Sequence, residues 1–326
     1  MKQFIFILFL IPLTGFSQPF EIGHTTITFN DPARTGGYGS GGGPGRQIQS
    51  EIYYPAATAG IDVSMVSGQY PVVIFGHGFV MAWDAYQNIW EEFVPKGYIF
   101  VFPRTEGNFS PSHDDFGQDL ALLVGEMEAE SNDAASIFYQ HHNGKTAIMG
   151  HSMGGGSSIL AAANNTSIET VIGLAPAETN PSAIAAAANV TVPALVLSGD
   201  GDAVTPPADH HEPIYSALAS SCKYFTNIIG GAHCYFANSN FNCDFGEGTS
   251  GGNITITRPE QHTITFQYLK PWLAYTLKGE CAAKNTFDSL LVQDAAVTYI
   301  NECTISAPTI TLNGSAVICE SETVEI

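Results

Sequence analysis

Gly150-His151-Ser152-Met153-Gly154 sets one serine between two glycines, where the apolar run TAIMG gives way to a helix-like pattern. A serine hydroxyl becomes a nucleophile only when a base takes its proton and a carboxylate orients that base. Both partners follow: SGDGDAVTPP carries Asp200 and Asp202, and GGAHCYF carries His233. G-x-S-x-G followed by Asp and then His is the chain order of a nucleophile-elbow triad, whose chemistry is acyl transfer through an acyl-serine. The glycines have a steric reading, because a side chain at either flank of that sharp turn would strike the neighbouring strand or helix. Gly155 and Gly156 let the helix begin close to the sheet, with the partial positive charge of its N-terminus toward the serine.

The residues around this motif can be ranked. Asp202 stands just before the AVTP turn and is better placed than Asp200 to reach the histidine, while Asp200 suits a turn cap. Of the ten histidines, His233 alone follows a strand-like segment within a glycine-flanked turn. An oxyanion needs two donors. The N–H of Met153 supplies one, and the N–H of Phe79, in GHGFVM, supplies the other while its ring walls the acyl pocket. His210 and His211, between Asp209 and Glu212, are read as a solvated helix start, since adjacent residues diverge on a helix. No metal and no cofactor is expected.

These residues need a scaffold that brings strand ends together. Strand-like runs occur at 24–30, 48–54, 70–76, 98–103, 146–150, 169–176, 192–199 and 223–231. Helical patterns fall at 85–97, 114–129, 153–163, 182–188, 208–220 and 258–279, the last with a kink expected at Pro271, and a further helix is expected over 282–300. Near-continuous apolar strands alternating with helices specify an α/β architecture: a mostly parallel eight-stranded sheet with helices on both faces. Ser152, Asp202 and His233 then stand after the fifth, seventh and eighth strands, the α/β-hydrolase arrangement. The short link between strands six and seven leaves no room for a cap domain. The glycine-rich TGGYGSGGGPGR lacks the G-K-[ST] ending of a phosphate cradle and reads as a surface loop.

Composition limits the partners. With 31 acidic residues against 11 Lys and Arg, the net charge of -20 repels nucleic acid and anionic membranes. Residues 1–17 have the charged end, short apolar stretch and small-x-small site of a cleaved signal peptide, so a secreted or cell-surface protein is expected. No other stretch is apolar enough to span a bilayer. The catalytic domain is placed at 18–303, and 304–326 reads as the start of a β-rich C-terminal module. The six cysteines, at 222, 234, 243, 281, 303 and 319, lack C-x-x-C spacing and suit disulfides. The local pairings are Cys234 with Cys243 and Cys281 with Cys303.

GHGF, GHSMGGGSS, SGDGDAVTPPADH and GGAHCYF together resemble the secreted dienelactone-hydrolase-related esterases, a group that includes bacterial cutinases and polyester hydrolases. The resemblance covers roughly residues 20–280 and implies Ser152, Asp202 and His233 as the triad, with Phe79 and Met153 at the oxyanion. Polyester hydrolases of this group usually carry a Trp shortly after the sixth strand, whereas this chain reads GLAPAETNPS. The function expected is a serine carboxylic ester hydrolase for short-chain or aromatic esters, polymeric ones included, acting as a monomer. A serine peptidase of the same fold and a non-catalytic surface-binding module are the alternatives. The segment Cys234 to Gly252 is read as an insertion beside the base, with Tyr235, Phe236 and Phe241 as an apolar rim.

Overall fold

A computed structural model describes residues 19–303; the expected signal peptide and the start of the C-terminal β-module lie outside the described residues. The chain opens with β1 (Glu21–Asp31), β2 (Gly37–Tyr38), β3 (Arg46–Ala56), β4 (Gly60–Ile61) and β5 (Tyr70–Gly76). An alternating part follows: α1 (Gln87–Phe93), β6 (Ile99–Pro103), α2 (His113–Asn132), β7 (His142–His151), α3 (Met153–Ala162), β8 (Thr170–Leu174), α4 (Ala183–Ala187), β9 (Ala194–Gly199), α5 (His211–Ala217) and β10 (Cys222–Ile228). It ends with α6 (Phe241–Ser250), α7 (Arg258–Lys278), α8 (Cys281–Gln293) and β11 (Val297–Cys303).

One sheet collects the strands in the order β11-β10-β9-β8-β7-β5-β6-β3-β1-β4, with β2 paired to β3. From β6 to β10 the neighbours are parallel. The β1–β3, β3–β6 and β10–β11 pairs are antiparallel, whereas the short β4 and β2 run parallel to β1 and β3. Every residue of β5, YPVVIFG, is buried, because the sheet is covered on both sides. Val73 and Phe75 enter one core with Trp90 of α1, Trp272 of α7 and Phe287 of α8. Val72 and Ile74 enter the other, with Leu120 of α2, Ile159 of α3 and Ile214 of α5. This is the α/β-hydrolase fold, and the β8–β9 connection holds only the five-residue α4.

The eight expected strands are the eight long ones up to β10. Two-residue β2 and β4 and the seven-residue β11 were not foreseen. The helix expected over 282–300 stops at Gln293, where Val297–Cys303 turns back to pair antiparallel with β10. That register sets Cys222 opposite Cys303, and these two form the disulfide. The expected Cys281–Cys303 pair is thereby corrected, while Cys234–Cys243 is formed as expected. α7 runs through Pro271 without ending there.

A buried ionic cluster ties the β1–β3 hairpin to α2. The Asp119 carboxylate, fully buried, accepts from Arg46 Nε and Nη2 and from Arg34 Nη2, each at 2.8 Å. Arg46 also donates to Glu106 at 2.6 Å. Removing one member of such a cluster strands a buried charge. Asp119→Ala is expected to lower the unfolding free energy by about 3–5 kcal/mol, read from urea melts; an unchanged midpoint would contradict the role given to this carboxylate.

Candidate active site

The parallel strands β7, β9 and β10 end on the same edge of the sheet, and Ser152, Asp202 and His233 follow them. Ser152 sits between β7 and α3 with φ 55° and ψ −120°, a conformation that costs on the order of 1–3 kcal/mol for a residue with a side chain. Its backbone is held from three directions: its N–H donates to Leu174 O at 2.9 Å, and its carbonyl accepts from Gly156 N and Ala177 N. A Cβ at Gly150 would fall on the backbone of Gly154, and one at Gly154 on the carbonyl of Gly76 at the end of β5. The glycines are therefore required by close approach, and that approach sets the elbow against the loop that follows β5.

His233 and Asp202 meet as a buried pair, with Nδ1 to Oδ2 at 2.7 Å. An ionised carboxylate only accepts, so Nδ1 carries the proton and Nε2 is left as the acceptor. Burial opposes ionisation of Asp202, but the His233 hydrogen bond and charge and the Thr205 N–H outweigh it and hold the carboxyl below its ordinary range. Asp202 Oδ1 accepts from Val204 N and Thr205 N, both at 2.8 Å. Asp200 instead accepts from Gly230 N and secures the turn after β10. Among the described residues no hydrogen bond joins Ser152 Oγ to His233.

What links the elbow to the histidine is His151, fully buried. Its Nε2 meets His233 O at 3.0 Å, and its Nδ1 meets Tyr86 Oη at 2.9 Å. Tyr86 Oη in turn accepts from Gly78 N at 2.8 Å. One neutral imidazole thus joins the loop after β5, the elbow and the His233 loop. Burial, with the nearby His233, drives the His151 pKa well below its usual value.

A second histidine lies behind the carboxylate. His211 was expected at a solvated helix start, but it is fully buried: Ser198 Oγ donates to its Nδ1 at 2.7 Å, and its Nε2 reaches Thr205 Oγ1 at 3.1 Å. Thr205 Oγ1 donates to Asp202 Oδ2 at 3.0 Å. Burial lowers the His211 pKa to about 3. Its neighbour His210 accepts from Glu178 N. The sequence HHEP does not reveal which of two adjacent imidazoles turns inward.

These neutral histidines make stability depend on acid. In the unfolded chain a histidine protonates near pH 6.5, whereas His211 in the fold stays neutral down to about 3. Below pH 6.5 the unfolded state therefore binds more protons, and stability falls with pH. At pH 5 His211 alone is expected to cost about 2 kcal/mol relative to pH 8, and His151 acts in the same direction. Urea melts at the two pH values would show this; equal stability would contradict it.

Met153 is the first residue of α3, and Phe79 lies in the loop after β5; no hydrogen bond among the described residues takes up either N–H. The Phe79 ring is 45% exposed and meets Phe109 edge-on at 6.4 Å between centroids. Phe109, 82% exposed, was missed because FSPS reads only as a loop. The rim expected beside His233 is different in detail. Phe236 is fully buried, Tyr235 lies under the Arg258 guanidinium, and only Phe241 is exposed. The insertion itself holds the helix α6, whose Glu247 is buried and accepts from His233 N at 2.5 Å and Cys234 N at 3.1 Å. Burial raises the Glu247 pKa against the pull of these donors. A cavity of about 350 Å³ opens beyond the Phe79 loop, among Tyr38, Trp83, Arg104 and Glu106; it is not lined by Ser152, Asp202 or His233. Among the described residues no helix is long and apolar enough to cross a membrane.

A family model described as PET hydrolase-like matches residues 16–247. A bis(hydroxyethyl) terephthalate hydrolase of Streptomyces coelicolor is 30% identical over 170 residues, which cover 52% of this chain and 50% of that protein. Cutinase 1 of Thermobifida cellulosilytica is 26% identical over 222 residues, 68% of this chain and 74% of that one. A cutinase of Thermobifida fusca is 26% identical over 222 residues, 68% of this chain and 64% of that one. The chain thus spans about half the length of the Streptomyces relative and under two thirds of the last.

Proposed function

Because the chain belongs to the PET hydrolase-like family, we propose that it is a serine carboxylic ester hydrolase acting on short-chain and aromatic esters, polyester chain ends among them. The observation that carries this reading is the buried, hydrogen-bonded His233–Asp202 pair on the same sheet edge as the strained Ser152. A binding module has no need of that costly backbone or of a buried carboxylate held ionised. The names of the relatives, a bis(hydroxyethyl) terephthalate hydrolase and cutinases, support esters as the substrate class.

In this reading Ser152 Oγ attacks the ester carbonyl while His233 Nε2 takes its proton. A serine–histidine contact of this kind tightens as substrate enters. Asp202 holds Nδ1–H and stabilises the imidazolium that forms. The N–H groups of Met153 and Phe79 receive the oxyanion. The alcohol leaves with the proton from Nε2, and water, activated by the same nitrogen, releases the acid from the acyl-serine. Phe79 and Phe109 offer an aromatic edge to a flat acyl group, where GLAPAETNPS has no ring to supply. The absence of a large β8–β9 insertion leaves the mouth open to bulky esters.

We further propose that residues 1–17 are a signal peptide, that 18–303 form the catalytic domain, and that the protein is secreted; the disulfides agree with an oxidising destination. The test is a panel of p-nitrophenyl butyrate, p-nitrophenyl palmitate, bis(hydroxyethyl) terephthalate, a peptide anilide and an amorphous polyester film. Turnover that falls from butyrate to palmitate, with soluble terephthalate esters cleaved, is the expected result. Faster amide than ester hydrolysis would mark a peptidase, and no labelling by a fluorophosphonate would mark a non-catalytic module.

A further inference from the structure

Resting on the esterase reading, we infer that α6 is an adsorption helix that seats the active-site mouth on the uncharged surface of a water-insoluble ester, through Phe241 and Phe245. The two residues lie one turn apart, and their rings stack at 6.2 Å between centroids with an interplanar angle of 21°. They are 82% and 65% exposed. Among the described residues the exposed phenylalanines are Phe79, Phe109, Phe241 and Phe245. The first two touch each other beside the elbow. Asn242, between the second two, donates to Val80 O at 2.9 Å, next to Phe79. The Asn242–Val80 bond therefore sets α6 against the loop that carries Phe79, the residue proposed above to offer an oxyanion donor beside Ser152.

The helix is built to hold this pair outward. Asn240 caps it, accepting from Asn242 N and Cys243 N. Cys243 is bonded to Cys234, the residue after His233. Both acids of α6 are engaged: Asp244 pairs with Arg258, and Glu247 is buried on the His233 and Cys234 amides. The outward face thus carries two rings and no free charge, on a chain of net charge -20. Such a chain gains nothing from charge at a polyester surface, whose chain ends are carboxylates. Apolar contact is what remains, and rings fixed in advance lose little freedom on binding. Contiguous apolar surface at a mouth of this kind marks a binding face.

The test compares the parent chain with Phe241→Ser/Phe245→Ser and Phe241→Leu/Phe245→Leu. Depletion from solution over an amorphous polyester film measures adsorption, and p-nitrophenyl butyrate hydrolysis measures the site itself. The serine pair is expected to adsorb about tenfold more weakly and to release film products more slowly by a similar factor at low enzyme concentration. Its kcat/KM on the soluble ester should stay within about twofold of the parent, and the leucine pair should adsorb nearly as well as the parent. Adsorption of the serine pair equal to the parent's would overturn the inference, as would an equal loss on film and on soluble ester in both variants. Adsorption is also measured with Ser152→Ala, which binds without turnover. A parent chain that hydrolyses no soluble ester would overturn the esterase reading alone, because adsorption is read separately.

Discussion

Ser152→Ala is expected to lower kcat for p-nitrophenyl butyrate by about 10⁶-fold, with KM changed little. The size follows from the triad acting as a unit: once the nucleophile is gone, His233 and Asp202 have nothing to activate, and the remaining rate comes from the oxyanion donors and binding alone. The substitution removes one oxygen from a residue 8% exposed and keeps the Cβ, so the backbone bonds to Leu174, Gly156 and Ala177 persist. Melting curves should therefore overlay those of the parent. Retained turnover in the purified variant would remove Ser152 from the mechanism.

Asp202→Asn tests the orientation of the base. The amide would present a donor to Nδ1, favour the tautomer with the proton on Nε2, and leave His233 unable to accept from the serine. A loss of about 10⁴-fold in kcat is expected. Asp200→Asn removes charge from the turn that its Oδ1 secures at Gly230 N and leaves the 2.7 Å His233–Asp202 contact untouched, so its effect on kcat should be within about tenfold. The reverse ranking would assign the carboxylate to the wrong residue. Measuring kcat between pH 6 and 9 separates tautomer from fold: an asparagine variant that regains rate as hydroxide rises keeps its site geometry, whereas a misfolded one does not.

Much of this was readable from residue order. The long strands of the parallel region stand out because a sheet covered on both faces demands unbroken apolar runs, as in YPVVIFG and ALVLSG. The elbow is legible because only glycine tolerates the backbone of Gly154 against Gly76. Other features depend on register and burial, which one-dimensional order does not carry. VTYINEC is a strand because β10 offers it an open edge, and only the pairing of Cys222 with Cys303 makes their disulfide the near one. His211 lies in a polar, proline-punctuated stretch, and its inward turn toward Thr205 is a tertiary outcome. α6 was hidden by its glycines, 246 and 248, which lower helix propensity; the Asn240 cap and the tether at Cys243 stabilise it instead.

The Cys222–Cys303 bond gives the domain a definite load path. A pull applied to the chain beyond Cys303 does not have to peel β11 from the sheet edge or unravel α7 and α8, because the sulfur bridge passes it straight into the start of β10. His233 stands past the opposite end of that strand, on the far side of six ladder residues shared with β9. Tension or drag from anything fastened there therefore enters the molecule at the end of β10 away from the proposed triad. A Cys222→Ser/Cys303→Ser variant, which keeps Cys234–Cys243, would reroute it through the hydrogen bonds of β11, so a surface-tethered sample should shed activity under flow in that variant and not in the parent.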